Sequence, residues 1–69
     1  MEIVIKYKIR DIRQQQGLSL RELSRKSGVS IAELSEVERN LRDTTITTLF
    51  YIAIALDKEP MELLDVFII

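Results

Sequence analysis

Sixty-nine residues with no Cys, no His and a formal net charge of −1 leave room for one compact domain, residues 1–69, held together by packing alone. Disulfides and thiolate or imidazole metal ligands are excluded, the carboxylates show no loop spacing that would cage calcium, and no cofactor or small-molecule ligand is implied. The longest uncharged apolar stretch, Ile46 to Leu56, falls well short of the roughly 20 residues that span a bilayer, and without a signal-peptide pattern the chain is expected to be soluble and cytoplasmic, with no membrane partner.

Residues 1–8 form an extended N-terminal segment. From Glu2 to Lys8 the residues alternate, Ile3, Ile5 and Tyr7 on one face and Glu2, Val4, Lys6 and Lys8 on the other, and their β-branched content favours a strand. Ile9 and Ile12 then recur at helical spacing up to Gln16, and Gly17 is placed to end this first helix in a left-handed conformation. Ser19 stands three residues before Glu22, a capping box that opens a second helix over Leu20 to Ser27. Gly28 stops that helix, and Ser30 with Glu33 offers a second capping box for a third helix from Ile31 to about Asn40. Two capped helices joined only by Gly28-Val29-Ser30 cannot lie antiparallel and must cross steeply, the geometry of a helix-turn-helix. Thr44 or Thr45 caps a fourth helix, Ile46 to Leu56, apolar on nearly every face and therefore expected at the centre. Pro60 suits the first position of a fifth helix carrying Met61, Leu63, Leu64 and Phe67, before an apolar end from Val66 to Ile69. The expected class is all-α: a five-helix core over residues 9–66 behind a short extended segment. No internal repeat, linker or low-complexity tract interrupts it.

Charge is divided unevenly. Residues 1–30 hold seven Lys and Arg against three Asp and Glu, whereas residues 31–69 hold three against eight. A phosphate-facing surface would draw on the first half together with Arg39 and Arg42.

These residues resemble the Xre and Cro-like, phage-repressor-type helix-turn-helix regulators of bacteria and phages. The likeness spans about residues 9–66. It rests on Ile12-Arg13, Gly17-Leu18-Ser19, Glu22-Leu23, Gly28-Val29-Ser30, Ser35 with Val37-Glu38-Arg39-Asn40, and Leu49 with Ala53, Leu56 and Leu63. The resemblance implies a third helix lying in the major groove, a second helix with its N-terminus on a phosphate, and dimers that read two half-sites of double-stranded DNA about one turn apart. It implies DNA contacts from Ser19, Leu20 and Arg21 at the second helix, and from Ser30, Ile31, Ala32, Glu33 and Glu36 along the third. Arg39, Asn40 and Arg42 would flank that helix's exit, and Arg13 and Glu38 would form a structural ion pair holding the first helix to the third.

The groove-facing positions carry few of the donors that read purine edges. Ile31 and Ala32 suit thymine methyls and Glu36 suits a cytosine amino group, while phosphates repel an acid. Affinity is therefore expected from Arg and Lys, with little direct base recognition. Glu22 and Glu33 are assigned to the caps. Arg21, Arg25, Lys26, Arg39 and Arg42 are open between phosphate contacts and ordinary solvated charge, and Lys6 and Lys8 receive no role.

Tyr51 and Ile54 on the fourth helix would leave an apolar patch on a very small protein. Two covers are open: the segment Ile3, Ile5, Tyr7 folding back over it, pairing with the end strand that contains Phe67, or a second subunit of a homodimer. A transcriptional regulator binding DNA as a dimer is the leading reading. Its rival is a protein-interaction or dimerisation module, such as an antirepressor or immunity partner, that keeps the scaffold and has lost DNA contact. Without His, Cys, a phosphate-cradling loop or a nucleophile beside a base, an enzyme is not expected.

Overall fold

A computed structural model describes all of residues 1–69. In chain order the elements are β1 (Ile3–Tyr7), α1 (Ile9–Gln15), α2 (Leu20–Ser27), α3 (Ile31–Glu38), α4 (Ile46–Leu56), a 3-10 turn (Pro60–Leu63) and β2 (Leu64–Ile68). Five of the helix boundaries have a local cause in a capping side chain or a glycine. Gly17 and Gly28 take left-handed conformations, φ 70° and 76°, after α1 and α2. Ser19, Ser30 and Thr45 accept from the backbone N–H three residues on, at 3.0, 3.1 and 3.1 Å, and so open α2, α3 and α4. At Ser19 the box is reciprocal, its N–H donating to Glu22 Oε1 at 3.0 Å. At Ser30 only the forward half forms, because Glu33 makes no return bond.

The core draws on every helix: Ile9 and Ile12 from α1, Leu23 from α2, Leu34 and Val37 from α3, and Leu49, Ile52, Ala53 and Leu56 from α4, closed by Val29 and Leu63. Full burial of one such aliphatic side chain is worth about 1.5–3 kcal/mol. α4 is central on one face only. Its residues 49, 52, 53 and 56 are buried, while Ile46, Phe50, Tyr51 and Ile54 stand exposed on the opposite side, so its all-round apolarity does not mean all-round burial.

The chain has four α-helices and a small sheet rather than five helices. The expected fifth helix is a single 3-10 turn, Pro60–Leu63, with the Glu59 N–H donating to Glu62 Oε2 at 2.7 Å. From Leu64 onward the chain is extended and pairs antiparallel with β1, in register Ile3 with Ile68, Ile5 with Val66 and Tyr7 with Leu64. The physical reason is composition: Val66-Phe67-Ile68 is β-branched and aromatic, and β1 offers it a ladder of hydrogen bonds that a lone helical turn could not match. Lys8 N–H donates to Leu63 O at 2.7 Å, rooting the ribbon beside the 3-10 turn.

Candidate nucleic-acid interface

The turn between α2 and α3 is built by serines. Val29 O accepts from Ser24 Oγ at 2.6 Å, and Val29 N–H donates to the buried Ser27 Oγ at 3.2 Å, so both backbone groups of the turn residue are satisfied from α2. Val29 itself is buried, pinning the turn to the core. α2 and α3 are thereby held as one rigid pair.

At the N-terminus of α2, Ser19 and Arg21 are exposed, and the backbone N–H groups of Leu20 and Arg21 make no hydrogen bond within the chain. Free N–H groups and the helix dipole favour an anion there. The Leu20 side chain is half-buried against the core, which leaves it less available to DNA than its neighbours. The backbone N–H of Ser19, followed by its hydroxyl, holds the Glu22 carboxyl below its ordinary range.

Along α3 the outward residues are Ser30, Ile31 and Ala32, all exposed, with Glu33 and Glu36 half-buried, while Leu34, Val37 and Glu38 face inward. Past its end, Arg39 and Arg42 are exposed. Arg39 Nε donates to Ser35 O at 3.3 Å, and Arg42 Nη1 to Glu36 Oε2 at 3.2 Å. That last pair joins the acid of the outward face to the cation beside it. Asn40 adopts φ 57°, a conformation Asn tolerates, and its Oδ1 accepts from Tyr7 N–H at 3.0 Å. Its side-chain carbonyl therefore holds β1 in place, leaving the amide group for other contacts.

Arg13 and Glu38 form a bidentate pair, Nε to Oε2 at 2.7 Å and Nη2 to Oε1 at 3.0 Å, with Arg13 Nη1 also donating to Leu18 O at 3.0 Å. One guanidinium thus ties α1, the α1–α2 turn and α3 together. Hydrogen bonding to Glu38 raises the Arg13 pKa, against desolvation. Arg10 adds a looser contact to Glu38 at 3.7 Å.

Sequence reasoning missed the junction between the ribbon and the α3–α4 loop. Tyr7 Oη donates to Asp43 Oδ1 at 3.3 Å and accepts from Thr44 N–H at 3.3 Å. Pairing across more than thirty residues has no local signal. The folding-back of β1 over α4 does not occur: Tyr51 and Ile54 remain 55% and 74% exposed. The reason is anchorage, since β1 is bonded to Asn40 and Asp43 at one side and to β2 at the other, away from that face. Of the six residues expected on one surface, Ile3, Ile5, Tyr7 and Phe67 lie in the ribbon, and Tyr51 and Ile54 lie apart from it on α4.

Two capped helices across a serine-braced turn, with free N–H groups at the first and arginines beside the second, define a DNA-binding helix-turn-helix module. The match to a helix-turn-helix family model over residues 9–63 shows that the chain belongs to the Xre and Cro-like helix-turn-helix family of DNA-binding transcriptional regulators. Similar solved structures include the restriction-modification controller protein C.AhdI from Aeromonas hydrophila, 34% identical over 80% of this chain and 83% of that one, with a TM-score of 0.77. SinR, the master regulator for biofilm formation, in complex with DNA, is 37% identical over 77% of this chain and 86% of that one, TM-score 0.73. The N-terminal DNA binding domain of SinR is from Bacillus subtilis. The clp gene regulator ClgR from C. glutamicum is 33% identical over 80% of this chain and 71% of that one, TM-score 0.73. No curated protein matches the sequence. No helix is long and apolar enough to cross a membrane.

Proposed function

We propose that the protein is a cytoplasmic transcriptional regulator that binds operator-like duplex DNA as a homodimer, entering the major groove with α3. The observation that carries this is the exposed α2 N-terminus with unbonded N–H groups, followed in the chain by α3 with its exposed residues Ser30, Ile31 and Ala32 and by the exposed Arg39 and Arg42 past its end. Ser19 and Arg21 with the Leu20 backbone take one phosphate; Arg39, Arg42 and the Asn40 amide take the flanking backbone. Ser30, Ile31, Ala32 and Glu36 face the bases. Because these offer few donors, affinity comes mainly from phosphate contacts and falls steeply with salt.

Titration of random-sequence duplex DNA at low and moderate salt, beside an Arg39→Ala, Arg42→Ala double variant, tests this reading. Binding should weaken in the variant, with the slope of log affinity against log salt reduced by about 2, one for each lost contact. Absence of binding at both salts would remove the reading.

A second reading, a protein-interaction module on the same scaffold, draws on the apolar and acidic outward face of α3 and on the bare Tyr51 and Ile54 of α4. Polar replacement of Tyr51 and Ile54 would then abolish association with itself or with a protein partner while the fold persists.

A further inference from the structure

The loop between α3 and α4 carries Arg42, yet the helices on either side do little to hold it. Asn40 N–H and Leu41 N–H bond back to Val37 O and Glu36 O at 3.0 and 2.9 Å, closing the end of α3. From Arg42 to Thr44 the backbone makes a single hydrogen bond within the chain, Thr44 N–H to Tyr7 Oη at 3.3 Å. Packing does not supply what is missing. Leu41 is 64% exposed, and Arg42 and Asp43 are exposed as well, facing Ile5 and Tyr7 across an open cleft. A segment with so few backbone bonds and buried contacts is free to move unless something outside it clamps it.

Tyr7 clamps both ends of that loop. Its N–H donates to Asn40 Oδ1 at 3.0 Å where the loop begins, and where the loop ends its Oη donates to Asp43 Oδ1 and accepts from Thr44 N–H, each at 3.3 Å. Main chain and side chain of one residue thus bracket residues 40–44. Tyr7 is itself fixed: its side chain packs against the core, its backbone is in register with Leu64 of β2, and the next residue, Lys8, donates its N–H to Leu63 O at 2.7 Å. The clamp therefore stands on the core and the ribbon, not on α3 or α4. Because its hydroxyl is already donating and accepting, Tyr7 acts through the loop rather than by touching DNA.

We propose that Tyr7 is a positioning residue for DNA binding: by holding residues 40–44 in one conformation, it presents the Arg42 guanidinium to a phosphate beside the exit of α3. In the free protein that guanidinium rests on Glu36 of the outward face at 3.2 Å, so a fixed loop backbone delivers it to the side where α3 would enter the groove. A loop ordered beforehand spares the complex the entropy of ordering these residues. A loop free to sample other conformations would bind more weakly in proportion to the time spent in them. Tyr7 has this role only where Arg42 meets a phosphate, and in that respect it rests on the DNA reading above.

A double-variant cycle tests this, with random-sequence duplex DNA titrated at low salt and well below every thermal midpoint, so that lost stability cannot pass for lost affinity. Tyr7→Phe, which removes the hydroxyl alone, should weaken binding about three- to tenfold, the scale of one or two lost hydrogen bonds. In an Arg42→Ala background the same change should cost less than about twofold, because the residue it positions is gone, while in an Arg21→Ala background it should keep its full effect. A tyrosine that merely stabilised the fold would act equally in both. In the free wild type the amides of Arg42, Asp43 and Thr44 should be as ordered as those of α3, with order parameters of about 0.85, and in Tyr7→Phe they should fall below about 0.6. Unchanged affinity in Tyr7→Phe, an equal loss with and without Arg42, or a mobile loop in the wild type each overturns the proposal. Should Tyr7→Phe fail to fold, the order of the wild-type loop decides alone. A wild type that binds no DNA removes the DNA reading and this role together; wild-type binding that Tyr7→Phe leaves untouched removes only the role.

Discussion

Glu36 and Arg42 are paired on the proposed DNA side of the molecule. The Arg42 guanidinium is 3.2 Å from the Glu36 carboxylate, and both are about half exposed. In the proposed DNA complex, Arg42 would exchange that carboxylate for a phosphate while Glu36 would repel the backbone. An exposed pair of this kind is worth roughly 0–1 kcal/mol. Glu36→Gln should therefore tighten non-specific DNA binding by about two- to fivefold, a gain of at most about 1 kcal/mol, and the gain should shrink in an Arg42→Ala background. An unchanged or weakened affinity would show that Glu36 acts otherwise. At Tyr7, burial raises the phenol pKa above its ordinary value of 10.0, with Asp43 raising it further and the Thr44 N–H opposing. A folded pKa above the unfolded one means stability is fully present below pH 10 and is lost as pH rises through the raised value. The thermal midpoint should accordingly fall in alkali above about pH 10, and Tyr7→Phe should remove that part of the decline. Equal alkaline losses in the two proteins would contradict it. The roles of Ser19, Glu22 and Ser30 at helix starts were legible from spacing alone. Tyr7 was not, because its partners lie more than thirty residues away.

The caps and stops decide where helices begin and end, and they are short-range. Ser19 to Glu22 and Thr45 to Thr48 each close within three residues, which is why α2 and α4 are readable to the residue. Gly28 shows what such a stop is worth. No atom lies within 4 Å of where its Cβ would stand, so the demand is conformational, set by φ +76°. Gly28→Ala should cost about 1 kcal/mol, measured by denaturant midpoint, while Ala at an ordinary φ would not. The last element went the other way. Pro60 and the apolar residues after it are compatible with a helix, and the choice of strand was made by β1, which lies at the opposite end of the chain. Ser30 and Glu33 have the spacing of a reciprocal box but close only half of it, since spacing makes the return bond available without requiring it.

For a domain of this size the core leaves little margin. Small domains are stable by only about 5 kcal/mol, and Leu34, fully buried on α3, carries both the core and the inward side of the proposed recognition helix. Leu34→Ala should cost about 2–5 kcal/mol, enough to lower the thermal midpoint sharply and to lose DNA binding through unfolding; a native midpoint with binding lost would place Leu34 in the interface instead. The uneven charge acts at this same scale. The basic surplus of residues 1–30 includes Arg21, which stands on the proposed DNA side with Arg39 and Arg42, whereas Lys6 and Lys8 lie at the ribbon, with Lys8 3.4 Å from Asp65. Half-chain totals thus misplace part of the charge. By itself the sequence determined the helix-turn-helix: its signals are caps, glycines and apolar spacing, all acting within one or two helical turns. It also placed Ile9 and Ile12 of α1 on one face by their helical spacing, and both are buried; in α4, apolar on nearly every face, no period separates the buried side from the exposed one. Tertiary structure alone decided that β1 and β2 pair, that Tyr7 and Asn40 lock the ribbon to the loop, and that α4 keeps an apolar face bare. These depend on contacts between distant segments, whose partners no local pattern specifies.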